Sequence, residues 1–399
     1  MKYSQLADRV ERIKTSPTIA IATKAHELQA AGKPIISLSI GEPDFDTPQH
    51  IKLAAIKSIQ DGYTKYTAVD GIKELKQAII DKFSRENHLQ FNLNQILISC
   101  VAKHSLYNLF IAVLSPGDEV MMQSPYWVSY PDMTILAGGN PVIVETDIAD
   151  QFKMTPDKLS ALITNRTRIV IINSPSNPTG MAYSADELKA LGEVILDYPD
   201  IIVASDEIYE HHLWQHLPYT NMLNVCPELY DRYVLINGAS KTYAMTGWRI
   251  GYAAGPASII AAMKKAQSQM TSNPANPSQY AALAALTGDQ HCVKIMTDAY
   301  HERHDYAIRA LQKMPGIDVI PSDGTFYTFP CVKGLLNKNT QLSNDLQLTE
   351  FLLNEAEVAV IPGSACGAEG YIRICFTTSM ANLKEAMQRI HTAIEKLIK

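Results

Sequence analysis

Arg168-Ile169-Val170-Ile171-Ile172-Asn173-Ser174-Pro175-Ser176-Asn177-Pro178-Thr179-Gly180 is the stretch that decides the fold. Four consecutive aliphatic residues describe a strand apolar on both faces, and the two prolines and the glycine stop it sharply. Runs of the same kind recur at Gln95-Cys100, Glu119-Gln123, Pro141-Glu145, Ile201-Ser205, Tyr233-Asn237 and Ile250-Ala254. Helical patterns fall between them at Lys103-Leu114, Ala185-Leu196 and Ala257-Gln269. Strand and helix in alternation predict an α/β protein with a mostly parallel sheet flanked by helices. Sites on such sheets form at the carboxyl ends of the strands.

The rhythm changes near residue 290. A charged helix, His291-Met314, precedes short strands expected at Asp318-Ile320, Tyr327-Cys331, Ala359-Ile361 and Tyr371-Phe376, and an amphipathic helix, Asn382-Ile398, follows. This predicts a large domain over 46-288 and a smaller α+β domain built from 1-45 and 289-399. Neither a repeat nor a low-complexity linker separates them, so a cleft between two packed domains is expected.

Composition narrows the function. The chain has 399 residues, 35 Lys+Arg against 41 Asp+Glu, a net charge of -6, and 46% hydrophobic residues. That is a globular composition, and its mild acidity argues against nucleic acid as a partner. No apolar stretch reaches about 18 residues, so no membrane-spanning helix is expected. The N-terminal segment has no apolar signal core, and the six cysteines show no CxxC pairing; cytoplasmic residence with reduced thiols is the expectation.

Three further segments carry polar residues at or beyond strand ends. Asp206 is the first charge after Ile201-Ser205, Lys241 follows the run ending at Asn237 with Arg249 eight residues on, and Arg373 alternates with Ile372 and Ile374. Each also has a structural reading: a turn at Asn177, a helix cap at Asp206, a solvated lysine, an arginine that caps a helix.

Taken together and in this order, the segments resemble the class I aminotransferases of the fold-type I pyridoxal-phosphate enzymes. Ser39-Ile40-Gly41-Glu42-Pro43-Asp44-Phe45, Tyr66-Thr67-Ala68-Val69-Asp70-Gly71, Asn177-Pro178-Thr179-Gly180, Ala239-Ser240-Lys241-Thr242 and Gly370-Tyr371-Ile372-Arg373 all match. Ser16-Pro17-Thr18, Ala102-Lys103-His104 and Pro125-Tyr126-Trp127 are similar to the bacterial aspartate aminotransferases of the branch that includes prephenate-using members. The resemblance implies pyridoxal 5'-phosphate carried on Lys241, with Asp206 on the ring nitrogen, Asn177 and Tyr209 on the ring oxygen, and Trp127 on the ring face. It implies a phosphate held by Val101, Ala102, Lys103, Ser240 and Arg249, with Tyr66 reaching the neighbouring subunit of a homodimer. Substrates would be amino acids and 2-oxo acids, aspartate with 2-oxoglutarate in first place. Arg373 and Gly41 would hold the α-carboxylate, with Trp127 and Asn177 alongside, and Lys103, Ser16 and Thr18 the distal one. An aromatic or prephenate aminotransferase and a carbon–sulfur lyase share this machinery. A nicotinamide dehydrogenase is disfavoured because no GxGxxG opens a helix after any strand.

The chain departs from the family pattern at three places: Val101 where glycine or serine is usual, Asn276-Pro277 for a small-residue pair, and Cys366 for an aromatic. A branched residue at 101 predicts weaker or rearranged phosphate contact, although its amide could still donate. No metal is expected: His211, His212 and His216 lack a carboxylate or cysteine to complete a ligand set and read as surface or core residues, and His301 and His304 form no HExxH.

Overall fold

The aliphatic runs build a seven-stranded sheet. A computed structural model describes residues 6–13, 17–214, 218–336 and 342–399, the side chains of 17–19 excepted. Its strands are β1 (Ile36–Ser37), β2 (Ile96–Ser99), β3 (Glu119–Ser124), β4 (Asn140–Glu145), β5 (Thr167–Asn173), β6 (Ile202–Asp206), β7 (Tyr233–Gly238), β8 (Gly251–Ala254), β9 (Tyr327–Thr328), β10 (Val358–Ala359), β11 (Ile361–Pro362) and β12 (Ile372–Cys375). The large sheet has the order β2-β8-β7-β6-β5-β3-β4. The neighbours from β7 to β4 pair in parallel, and β8 alone runs against both of its neighbours.

Both faces of this sheet are apolar, as the unbroken runs predict. In β5, Val170 and Ile172 enter one cluster with Ile79, Phe83, Leu188 and Ala281, whereas Ile169 and Ile171 enter another with Leu106, Phe110, Ile260 and Met263. The two-residue period thus sends alternate side chains to helices on opposite faces. Helices Lys73–Asn87, Ala185–Leu196 and Asn276–Thr287 cover the first face; Ala102–Val113 and Ala257–Met270 cover the second. Strand order reverses where β3 lies between β4 and β5, which opens a crevice at the carboxyl ends of β3 and β5.

A second core lies under the C-terminal residues. Helix Met380–Leu397 starts at Ser379, whose hydroxyl accepts the Asn382 amide at 3.1 Å. It buries Leu383, Ala386, Met387, Ile390 and Ile394, spaced as one helical stripe. That stripe packs with Leu38, Tyr300, Phe326 and Ile374. The early chain joins this core because β1 pairs in parallel with β10, Ile36 opposite Val358. The expected strands are shorter here. Asp318-Ile320 forms only a bridge from Asp318 to Cys331, and β9 stops before Pro330, which has no amide to donate. The strand expected at Ala359-Ile361 divides, so that β10 pairs with β1 and β11 with β12.

Candidate active site

The ends of β5, β6 and β7 lie side by side, and short polar side chains tie them. Asn173, last in β5, donates to the Asp206 carbonyl at 2.9 Å and accepts the Asn177 amide at 2.9 Å. Asp206 is the last residue of β6 and is buried, so it is a strand-end carboxylate, not a helix cap. Burial pushes its pKa up; a hydroxyl proton from Tyr130 on Oδ2 at 2.7 Å and the Ile208 amide on Oδ1 at 3.3 Å pull the other way. Lys241 follows β7, half-buried, with Nζ donating to the Gly41 carbonyl at 2.7 Å. Burial draws its pKa down to about 8; nearby Arg373 and Arg249 press the same way, and Glu42 opposes.

These groups face one cavity of about 260 Å³. All the predicted site residues except Tyr66, Ser16 and Thr18 line it: Gly41, Val101, Ala102, Lys103, Trp127, Asn177, Asp206, Tyr209, Ser240, Lys241, Arg249 and Arg373. Tyr66 stands apart at 93% exposure, Ser16 lies outside the described residues, and so does the side chain of Thr18. Among the lining residues Lys103, Lys241, Arg249 and Arg373 confront a single carboxylate, Asp206. Such an excess of positive charge in a walled cleft selects an anionic ligand. Lys103 lies over the Trp127 ring at 4.7 Å, and its pKa is lowered by desolvation and by Arg249.

Arg373 reaches this cavity from β12. It donates to Asn177 Oδ1 at 3.1 Å and to the Ser39 carbonyl at 2.7 Å, and its buried Nε has no partner. A buried guanidinium with an unspent donor is suited to a carboxylate.

The start of helix Ala102–Val113 also lines the cavity, and the first-turn amides of Ala102 and Lys103 have no intrahelical acceptor. Ser240 and Arg249 line the cavity too, Arg249 close enough to Lys103 to lower its pKa. Gly251 closes behind the helix start, and a Cβ there would lie 2.2 Å from the Ala102 nitrogen. Val101 corrects an expectation. Its φ of 79° and ψ of 163° turn its amide back to the Ser99 carbonyl at 2.9 Å, so that donor is used within the chain.

Several lining residues were not foreseen. Tyr130 sits three positions after Trp127 on helix Ser129–Leu136, a spacing that could have flagged it. Tyr327 follows the Gly324-Thr325-Phe326 turn, and Thr246 lies within the Lys241 segment. His212 is fully buried, and its Nε2 lies 3.1 Å from the Lys241 carbonyl; His216 lies outside the described residues. His301, His304 and Asp305 cluster elsewhere, but His304 spends both ring nitrogens on the Ser322 amide and Asp305. Cys366 does not line the cavity and packs with Phe152 and Tyr371.

Residues 33–390 match the family model described as aminotransferase class I and II. The chain belongs to that family. The aminotransferase is 52% identical over 391 residues to an aspartate/prephenate aminotransferase of Nitrosomonas europaea, covering 97% of this chain and 98% of the relative. It is 44% identical over 397 residues to an aspartate aminotransferase of Rhizobium meliloti, covering 98% and 97%. Among solved structures, an aspartate aminotransferase from Rhizobium meliloti superposes with a TM-score of 0.95 at 44% identity, covering 98% and 99% of the two chains. One from Thermus thermophilus, solved with maleate, gives 0.92 at 39% identity with the same coverage. The aminotransferase therefore has the fold-type I architecture, and its cavity lies where that sheet order places a ligand.

Proposed function

We propose that this aminotransferase carries pyridoxal 5'-phosphate on Lys241 and moves an amino group from L-aspartate to 2-oxoglutarate by a ping-pong mechanism. The observation that carries the reading is the meeting, in one cation-rich cavity, of Lys241 with its pKa near 8, buried Asp206, and the unspent Nε of Arg373. The cofactor fits what lines the space: an amine deprotonated readily enough to bond an aldehyde, a buried carboxylate for a cationic ring nitrogen, and a helix start with Ser240 and Arg249 for a phosphate. When bound, it supplies the electron sink that makes a Cα–H bond acidic.

The protein's part is to bind, orient and move the proton. Asp206 keeps the ring nitrogen charged, Tyr209 and Asn177 address the ring oxygen, and Trp127 covers the ring face. Arg373 fixes the α-carboxylate in a bidentate grip that lysine could not reproduce. Gly41 leaves its peptide open on the same side, and the released Lys241 amine transfers the proton at Cα. Lys103 on the Trp127 rim is our candidate for the distal carboxylate, together with Ser16 and Thr18; that the Thermus relative was solved with maleate supports a dicarboxylate as ligand. The relatives named for both aspartate and prephenate support prephenate as a second amino acceptor.

A homodimer in the cytoplasm is the assembly and location we propose. Tyr66 is 93% exposed, and Leu53, Ile56, Ile59 and Tyr63 are exposed nearby in sequence, an apolar set suited to a second copy. Asn276 bonds the Lys65 carbonyl at 2.6 Å, which holds the loop that presents Tyr66. We take residues 46-288 as the cofactor domain and 1-45 with 289-399 as the smaller one; the packing of β1 and helix Met380–Leu397 into one core supports this division.

Half-reactions test the reading. Aspartate and glutamate should bleach the cofactor's visible band far faster than neutral amino acids, with oxaloacetate formed from aspartate. Release of ammonia and a thiol from a cysteine conjugate, without transfer to an oxo acid, would favour the lyase.

A further inference from the structure

Tyr327 joins the two halves of the site. Its hydroxyl lies 2.9 Å from the Tyr209 hydroxyl, and its ring lies 4.8 Å beneath the Arg373 guanidinium. The side chain is 1% exposed and tightly fixed: its amide donates to Thr325 Oγ1 at 3.1 Å, and Cys375 is its partner across β9 and β12. Gly41 is bare where it meets this residue, since a Cβ there would lie 1.8 Å from the Tyr327 hydroxyl oxygen. The groups of other elements that bear on it electrostatically are Arg373, Cys375, Tyr209 and Cys366.

Each hydroxyl has one proton. If Tyr209 donates its proton to the ring oxygen of the cofactor, the Tyr209–Tyr327 bond survives only with Tyr327 as donor. Donation into Tyr209 also polarises the Tyr209 O–H and makes it a stronger donor outward.

We propose that Tyr327 is a positioning residue with two tasks, aiming the Tyr209 proton into the cavity through its hydroxyl and supporting the Arg373 guanidinium through its ring. This rests on the proposed cofactor and on the role given to Tyr209. A strong donor on the ring oxygen withdraws charge from the atom that shares the proton of the lysine linkage, so that proton leaves at lower pH.

The test reads the pH midpoint of the visible band in the holoenzyme. Tyr327→Phe removes only the hydroxyl and should raise that midpoint by about half to one unit, the size of one hydrogen bond. The KM for aspartate should stay within about twofold, because the ring remains under Arg373. Tyr327→Leu should raise the same midpoint and also raise KM about fivefold, the weight of a partly desolvated cation–π contact. In a Tyr209→Phe background the Tyr327→Phe shift should vanish. If Tyr327→Phe does not fold, the midpoint of Tyr327→Leu is read in its place and should move upward by the same amount. A midpoint unmoved by Tyr327→Phe, or a shift that persists without the Tyr209 hydroxyl, overturns the proposal while leaving the cofactor reading intact. A wild-type protein with no visible band overturns both.

Discussion

Tyr130 donates its hydroxyl proton to Asp206 Oδ2 across 2.7 Å, and the two side chains are buried together beneath the cavity. Burial raises the Asp206 pKa, and the Tyr130 bond is the largest of the contacts that oppose it. Tyr130→Phe should therefore raise that pKa further and weaken the pairing of Asp206 with a cationic ring nitrogen. That bond is already made without the cofactor, so only the part of its roughly 1.5–3 kcal/mol that depends on Asp206 being charged enters binding, and cofactor affinity should fall severalfold. Fluorescence titration of the apoprotein with pyridoxal phosphate checks this; an unchanged Kd would contradict it.

Val101 occupies a backbone region open mainly to glycine, with φ 79° and ψ 163°. Such strain costs about 1–3 kcal/mol. Val101→Gly relieves it but gives up about 1.5–2 kcal/mol of apolar burial and about 0.5–1 kcal/mol of chain entropy. The terms nearly cancel, so the change in stability should stay within about 2 kcal/mol. Val120→Gly, in central strand β3 with no strain to relieve, should cost more than about 2.5 kcal/mol. Urea melts of the two variants make the comparison, and equal losses would show that Val101 is unstrained.

Lys82 is fully buried, paired with Glu210 and bonded to Asn87 Oδ1 at 2.8 Å; Glu210 also accepts from Asn87 at 2.9 Å and Asn237 at 2.6 Å. This cluster pins the turn after β6, which carries Tyr209, to helix Lys73–Asn87. Lys82→Met should cost about 3–5 kcal/mol by stranding a buried carboxylate. Adding Glu210→Gln should restore a large part. A double variant as unstable as the single one would count against the pair.

Two buried groups give opposing pH dependence. His212 is held at about 4 by burial, below its usual 6.5, so its share of stability is present above pH 6.5 and is lost as pH falls towards 4. Glu207 is pushed up to about 7 by burial and by the charge of Glu210, so its share is present below pH 4.5 and is lost as pH rises through 7. His212→Gln should therefore make stability fall more steeply with rising pH between 4.5 and 7 than in the wild type, and Glu207→Gln should tilt it the other way. Urea midpoints across that range measure both slopes, and parallel profiles would contradict the assignment.

The sheet was legible because β2, β5, β6 and β7 are aliphatic on both faces, a pattern that fits little else. Asp206 and Asn177 were legible because they are polar residues at the ends of such runs. The roles of Lys241 and Arg373 came from resemblance, since a lysine after a strand and an arginine within one have commoner explanations. Tyr130 and Tyr327 were hidden for one reason: each meets its partner through a contact between residues more than 75 positions apart. The positive φ of Val101 was beyond reach because valine signals the opposite preference. The C-terminal strands came out short because Pro330 and the change of partner after Ala359 interrupt ladders that alternation alone predicts to continue.

The central claim is that Lys241 holds the cofactor. Borohydride reduction of the protein loaded with pyridoxal phosphate, followed by peptide mapping, should place a phosphopyridoxyl group on Lys241 alone and leave the Lys241→Ala protein unlabelled. Stoichiometric label on another lysine, or none on the loaded wild type, would contradict the account.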